Sequence, residues 1–238
     1  ASTIAYLGPA ATFTQQALMS WVGDAEHEQV PLGSVDAALD ALRSGEVDAA
    51  VVPIENSVEG GVSATLDALA SGDPLVVVGE VLVPITFVIC ARAGTTLADV
   101  RAIGTHSHAW AQVRGWADKQ APQAIYVPTL STASAAQDLA EHPEELGYEA
   151  AVCAPVAAEH FGLEVLAHDI GDMANAVTRF VVVSRPDWLP RPTGRDKTTV
   201  VLYQRSDRAG GLLELLEQFA VRGINMTRLE SRPTKESM

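Results

Sequence analysis

Basic residues are scarce over most of this chain. Up to Arg185 the sequence holds seven (Arg43, Arg92, Arg101, Arg114, Lys119, Arg179 and Arg185) against 23 Asp and Glu, a net charge of −16. From Pro186 onward nine bases meet seven acids, for +2. So acidic a surface repels nucleic acid and anionic membrane, and neither is expected as a partner. Cysteine is nearly absent too. Cys90 and Cys153 lie far apart in apolar runs, with no C-x-x-C spacing and no neighbouring His cluster. Both are expected as reduced core residues, and no metal site is expected. No stretch reaches the roughly 18 uninterrupted apolar residues that cross a bilayer. Ala1 to Val22 lacks the basic start and apolar run of a leader, so a cytoplasmic location is expected. What the chain has in plenty is apolar residues, 47% of 238, enough for a sizeable core in one large domain or two smaller ones.

Those residues recur in a pattern. Thr3 to Leu7 reads as a strand ending in Gly8-Pro9, and Thr12 with Gln15 has the spacing of a capping box opening a helix through Trp21. Ser34 caps a helix that Gly45 stops, and Ala49 to Pro53 is a buried strand running into I-E-N-S-V-E-G-G. Later, Ser131 or Thr132 caps a helix through Leu139, and Ala150 to Cys153 is again a buried strand, ending at Ala154-Pro155. This echo is too loose for a repeat array and predicts two similar α/β lobes. Leu75 to Ala91, long, β-branched and interrupted by Gly79 and Pro84, suits a strand crossing between them. A return near Ile170 to Phe180 places N-A-V-T-R-F, Asn175 to Phe180, at the hinge, facing the cleft where such proteins hold ligands.

Thr178 and Arg179 stand where that strand begins, just before Val181, Val182 and Val183. An arginine there needs an anionic partner, either a structural carboxylate or a bound anion, because a buried unpaired charge costs several kcal/mol. The shortage of bases elsewhere favours the bound anion. In the second lobe Val100 to Gly104 ends a strand and T-H-S-H-A-W-A-Q opens a helix, bringing Thr105, Ser107 and Gln112 near a free helix start. His106 and His108 do not share a helix face, so a metal pair is not expected, and His106 reads as a hydrogen-bonding loop residue. Ser184 to Asp196 is proline-rich and reads as a linker. Beyond it, a strand at Thr198 to Gln204, a helix at Gly211 to Arg222 and a strand at Ile224 to Arg232 are expected, a β-α-β fragment too small for its own core.

Several segments together resemble the prephenate dehydratases, which convert prephenate to phenylpyruvate. They are Y-L-G-P-A-A-T-F from Tyr6, P-I-E-N-S from Pro53, H-S-H-A-W-A-Q from His106, A-A-E-H-F-G-L from Ala157 and T-R-F from Thr178. The tail, with E-S-R-P from Glu230, resembles an ACT domain, that family's phenylalanine-binding module. The resemblance implies an α/β fold: a two-lobed unit like type II periplasmic binding proteins over residues 1–184, with lobe I at about 1–82 plus 175–184 and lobe II at about 83–174. It further implies a linker at 185–196 and a partial ferredoxin-like βαβ ACT domain at 197–238. Thr178 is the implied catalytic residue, with Asn56, Ser57, Thr105, Gln112 and Arg179 in substrate binding and Glu230, Ser231, Arg232 and Pro233 in phenylalanine binding. Glu55 reads as a structural partner rather than a group that meets a dianion. No cofactor is expected; the expected partners are prephenate, L-phenylalanine and further copies of the chain, as a homodimer or homotetramer. The sequence departs from the family at Ala11, a common glycine position, at Ser107, a common proline, and at R-A-G-G-L before the last helix. Arogenate turnover and a non-catalytic binding module are the alternatives.

Overall fold

Strand β1 (Ser2–Leu7) and strand β3 (Ala49–Asn56) are rich in small and β-branched apolar residues, and such strands are stable only between neighbours and under helices. The computed structural model describes residues 2–58, 60–204, 206 and 208–232. The chain runs β1, α1 (Phe13–Val22), β2 (His27–Leu32), α2 (Val35–Ser44), β3, β4 (Gly60–Gly61), α3 (Ser63–Ala70) and β5 (Val76–Pro84). It continues through β6 (Val88–Ala91), β7 (Ala102–Thr105), α4 (Ser107–Gln120), β8 (Ile125–Pro128), α5 (Thr132–Glu141), β9 (Ala150–Cys153), α6 (Pro155–His160) and β10 (Glu164–Ala167). Then come β11 (Val177–Ser184) and α7 (Gly211–Ala220).

Two sheets result. The first has the order β2-β1-β3-β11-β5, with β4 added to the end of β3, and the second β10-β6-β9-β7-β8. β11 lies antiparallel between β3 and β5, so the last strand of the first sheet is its bridge. Its residues alternate between two cores, as a period of two requires. Phe180 and Val182 join Leu18 of α1, while Val181 and Val183 join Leu39 and Leu42 of α2. In the second sheet Ala150 and Val152 pack with Val113 of α4, and Ala151 and Cys153 pack with Ala135 and Ala157 on the other side. Both sheets are thus covered on both faces.

The crossing expected over Leu75 to Ala91 is split into β5 and β6 by Ile85 to Phe87. Beside it runs the return: Ile85 N–H donates to the Ala176 carbonyl at 2.8 Å, and Ile170 N–H to the Phe87 carbonyl at 3.1 Å. Gly79 stays inside β5 because Trp21 covers it, a Cβ there falling 2.2 Å from the indole. The two cysteines are buried free thiols with sulfurs 3.5 Å apart.

Residues 192–238 form a separate compact unit. Of its expected β-α-β order the helix is present, capped by Gly210, with Arg208 paired to Glu214. The segments Thr198 to Gln204 and Ile224 to Arg232 form no strand among the described residues. A helix closes its hydrogen bonds within itself, whereas a strand needs a neighbouring strand, and among the described residues neither segment is paired in a ladder. Among the described residues no helix is long and apolar enough to cross a membrane.

Tyr148 makes the second lobe sensitive to base. Its ring lies on Gly104, where a Cβ would come within 2.6 Å, and its hydroxyl donates to the Ala135 carbonyl at 3.0 Å. Burial, with smaller contributions from Asp138 and Cys90, pushes its pKa up to about 12. A tyrosine in the unfolded chain ionises near pH 10. This contribution is therefore complete below about pH 10 and lost as pH rises toward 12. Tyr148→Phe is expected to cost about 1 kcal/mol at neutral pH through the lost hydrogen bond. Between those pH values its stability should fall less steeply than that of the parent protein. Urea titrations across the range check this, and equal slopes would refute it.

Candidate active site

In the first sheet β1 and β3 are parallel and β11 is antiparallel to β3, so Leu7, Asn56 and Val177 share the end where the hinge begins. In the second sheet β7 is parallel to β9, and Val88 at the start of β6 pairs with Cys153 at the end of β9. The carboxyl ends of β1, β3, β7 and β9 therefore all lie on the hinge side, where open α/β sheets place their ligands. The loop after β1 bridges the halves. Ala11 is buried in the core beside Cys153 and Ala157, and the Phe13 and Phe87 rings meet edge to face at 5.8 Å. Ala11 has a φ of 60°, a left-handed conformation that favours glycine. At the start of α1, Thr12 Oγ1 accepts the Gln15 N–H, while Gln15 Oε1 accepts the Ala11 N–H at 2.6 Å. Gln15 thus reaches one residue beyond a capping box.

Asn56 pairs with Thr178 across the ladder, and Glu55 with Arg179. Asn56 Oδ1 accepts the Val58 N–H at 2.7 Å, which fixes the carboxamide so that Nδ2 donates to Thr178 Oγ1 at 3.1 Å. Thr178 is 7% exposed, and its hydroxyl is thereby cast as acceptor toward Asn56, leaving its own proton to be given elsewhere. Ser57 clasps the strand start: its N–H donates to the Val177 carbonyl and its Oγ accepts the Val177 N–H, both at 2.9 Å.

Arg179, the next residue, faces the other way with Glu55. Its Nε meets Glu80 Oε2 at 2.5 Å and its Nη1 lies 3.8 Å from Glu55 Oε2. Carboxylates of the chain supply the counter-charge for which composition had favoured a bound anion. The signal was present in the sequence: Glu80 is the one charge inside the apolar run Leu75 to Ala91, as Arg179 is inside its own strand. Two lone opposite charges, one in a buried strand and one in the edge strand beside it, find each other when those strands pair.

On the second lobe Thr105 is fully buried and donates to the Val152 carbonyl at 2.8 Å, tying β7 to β9. Gln112, 7% exposed, has its Nε2 at 3.3 Å from the His108 carbonyl. His106 caps α4, its Nδ1 accepting the His108 N–H at 3.2 Å. Among the described residues no group of acidic, His or Cys side chains could hold a metal ion. In the separate unit Glu230 bridges Arg228 and Arg232 at 2.9 Å each, and hydrogen bonds from Arg232 and then Arg228 hold its carboxyl below the usual range. Ser231 is irregular and exposed beside them, and Pro233 lies outside the described residues.

Two α/β lobes joined by two crossing segments, with polar side chains at the strand ends of both, define the class of cleft proteins built like type II periplasmic binding proteins. Residues 4–187 match the prephenate dehydratase family, and the chain belongs to it. A prephenate dehydratase of Amycolatopsis methanolica is 47% identical over 99% of this chain and 75% of its own. The crystal structure of the Arthrobacter aurescens prephenate dehydratase, a complex with L-Phe, is 55% identical with a TM-score of 0.92, covering 98% of this chain and 76% of that one. A quorum-quenching acylase, GqqA, is 28% identical with a TM-score of 0.77 over 99% of this chain and 83% of its own.

Arg179→Met should leave Glu55 and Glu80 as unneutralised neighbours and lower stability by about 1 kcal/mol, a modest value because these groups are partly solvated. With Glu80→Gln added, the loss should be smaller than the sum of the two single effects. Chemical denaturation of the four proteins tests this; strict additivity would show that the ion pair contributes nothing.

Proposed function

We propose that the protein is a prephenate dehydratase, converting prephenate to phenylpyruvate, CO2 and water. The carbon-carbon bond to the ring carboxylate breaks, its electron pair enters the ring, and the C4 hydroxyl departs as hydroxide, which a proton converts to water. Aromatisation drives the reaction, so what the substrate lacks is a good leaving group. The observation that carries the reading is the Asn56 carboxamide aimed at Thr178 Oγ1. A hydroxyl that accepts one hydrogen bond is a stronger donor for the next, so Thr178 is set to donate to the departing hydroxide. Thr178 stabilises that charge by hydrogen bonding rather than by surrendering its proton outright, since threonine is a very weak acid.

The two carboxylates of prephenate need opposite treatment. The ring carboxylate loses its charge in the transition state, and holding it tightly would slow the reaction. The pyruvyl carboxylate needs an anchor. With Arg179 engaged by Glu80 and Glu55, the N–H groups at the starts of α1 and α4 suit that task, with Gln112 beside them.

Regulation by L-phenylalanine, the ligand in the Arthrobacter structure, belongs to the same reading, with Glu230, Ser231 and Arg232 on the binding loop. The protein works in the cytoplasm as a homodimer or homotetramer, and residues 197–238 are part of an ACT domain. The acylase shows that this architecture also serves a protein named for other chemistry, so the assignment depends on Thr178 and Asn56 rather than on the fold.

The test is turnover of prephenate, followed as phenylpyruvate in alkali, with arogenate in parallel. Thr178→Val keeps the shape and removes the donor, and should lower kcat by about 100- to 1,000-fold, while Thr178→Ser stays within about tenfold of the parent. A valine variant as fast as the parent would refute the mechanism.

A further inference from the structure

Between the two hydrogen bonds of the hinge, Thr86 alone on the outgoing side is faced by Gly171 to Asn175 on the return. The surplus chain leaves the ribbon as a loop and re-enters at Asn175, whose φ is 65°. That loop is tied to α4. Asp172 Oδ2 accepts the Gly115 N–H at 2.7 Å and Oδ1 the Trp116 N–H at 2.8 Å. Asp172 N–H in turn donates to the Gln112 carbonyl at 2.6 Å. In an α-helix the Trp116 N–H belongs to the Gln112 carbonyl, four residues back. One residue of the hinge thus engages both ends of that rung. Gly115 makes the room, since a Cβ there would lie 2.8 Å from Asp172 Oδ1.

The helix backbone so gripped is the one that places Gln112, whose side chain bonds back to its own helix. The loop that grips it leads directly into Val177 and Thr178. We infer that Asp172 is a positioning residue for the dehydration, locking the strand that carries Thr178 to the helix that carries Gln112. It bonds to the backbone of α4, and it acts by holding the Thr178 donor where substrate bound against the second lobe meets it. The inference rests on the dehydratase reading.

Asp172→Ala removes the carboxylate. Gly115→Ala displaces it, at little cost to the fold because only the end of a side chain must move. Each is expected to lower kcat about 10- to 100-fold, the penalty of a misplacement near 1 Å. KM should stay within about threefold, because the loss falls on the transition state. The double variant should be no worse than the more damaged single one, since both break one clamp. Asp172→Asn, which keeps one acceptor oxygen, should recover part of the rate. Amide exchange at Gly115 and Trp116 should accelerate in Asp172→Ala while that of β3 stays unchanged. Additive losses, or a kcat equal to the parent's once these amides are freed, would overturn the inference. So would a loss of activity that follows the unfolded fraction measured by circular dichroism. A parent protein that binds prephenate without forming phenylpyruvate overturns the dehydratase reading instead, and with it the role given to Asp172.

Discussion

β11 has to satisfy two ladders and two cores at once. Hydrogen-bonded to β3 along one edge and β5 along the other, and covered on both faces, it cannot rotate or slip by one residue without sending Phe180 and Val182 into the wrong core. That register decides where the Thr178 hydroxyl stands. With Phe180 held under α1, Arg179 must face the carboxylates of the neighbouring strands and Thr178 must face Asn56. The charge and the hydroxyl are adjacent in sequence and separated in space for the same reason. The hydrophobic contacts that hold the strand are thus also what orients its donor, and no flexible loop is asked to present it.

This arrangement explains how much was legible in the residues. Buried strands announced themselves by composition: Ala49 to Pro53, Ala150 to Cys153 and the valines after Phe180 all proved central. Helix starts at Ser34 and Ser131 were legible because a capping hydroxyl acts within three residues. What stayed hidden depends on pairing between distant segments. Nothing local told Arg179 that Glu80 would lie across the ladder, and the weight given to a bound anion came from counting charges without knowing neighbours. The break at Ile85 to Phe87 was hidden for a similar reason, since apolar residues continue through it and only the change of sheet ends one strand and starts another. The strands expected in the last part of the chain have strand-like residues, yet among the described residues they form no ladder.

Within the candidate site, the motif resemblance named Asn56 and Thr178, and the structure adds how they are joined: the Val58 amide sets the carboxamide, the carboxamide sets the hydroxyl. Ser57 holds the start of β11, and Thr105 ties the end of β7 to β9. Asp172 belonged to no capping, strand or charge pattern, because its partners are backbone amides in a helix far back in the chain.

The strand order also sets a timetable for synthesis. The second lobe is continuous from β6 to β10 and has all its partners as soon as that stretch leaves the ribosome. The first lobe is not. β5 is joined to β3 through β11, so until Ser184 emerges the early strands form an open half-sheet with an unpaired edge, waiting on the strand that closes it. Thr178 thus arrives on the strand that completes the first sheet, and a nascent chain has the strands of its second sheet before its first is closed.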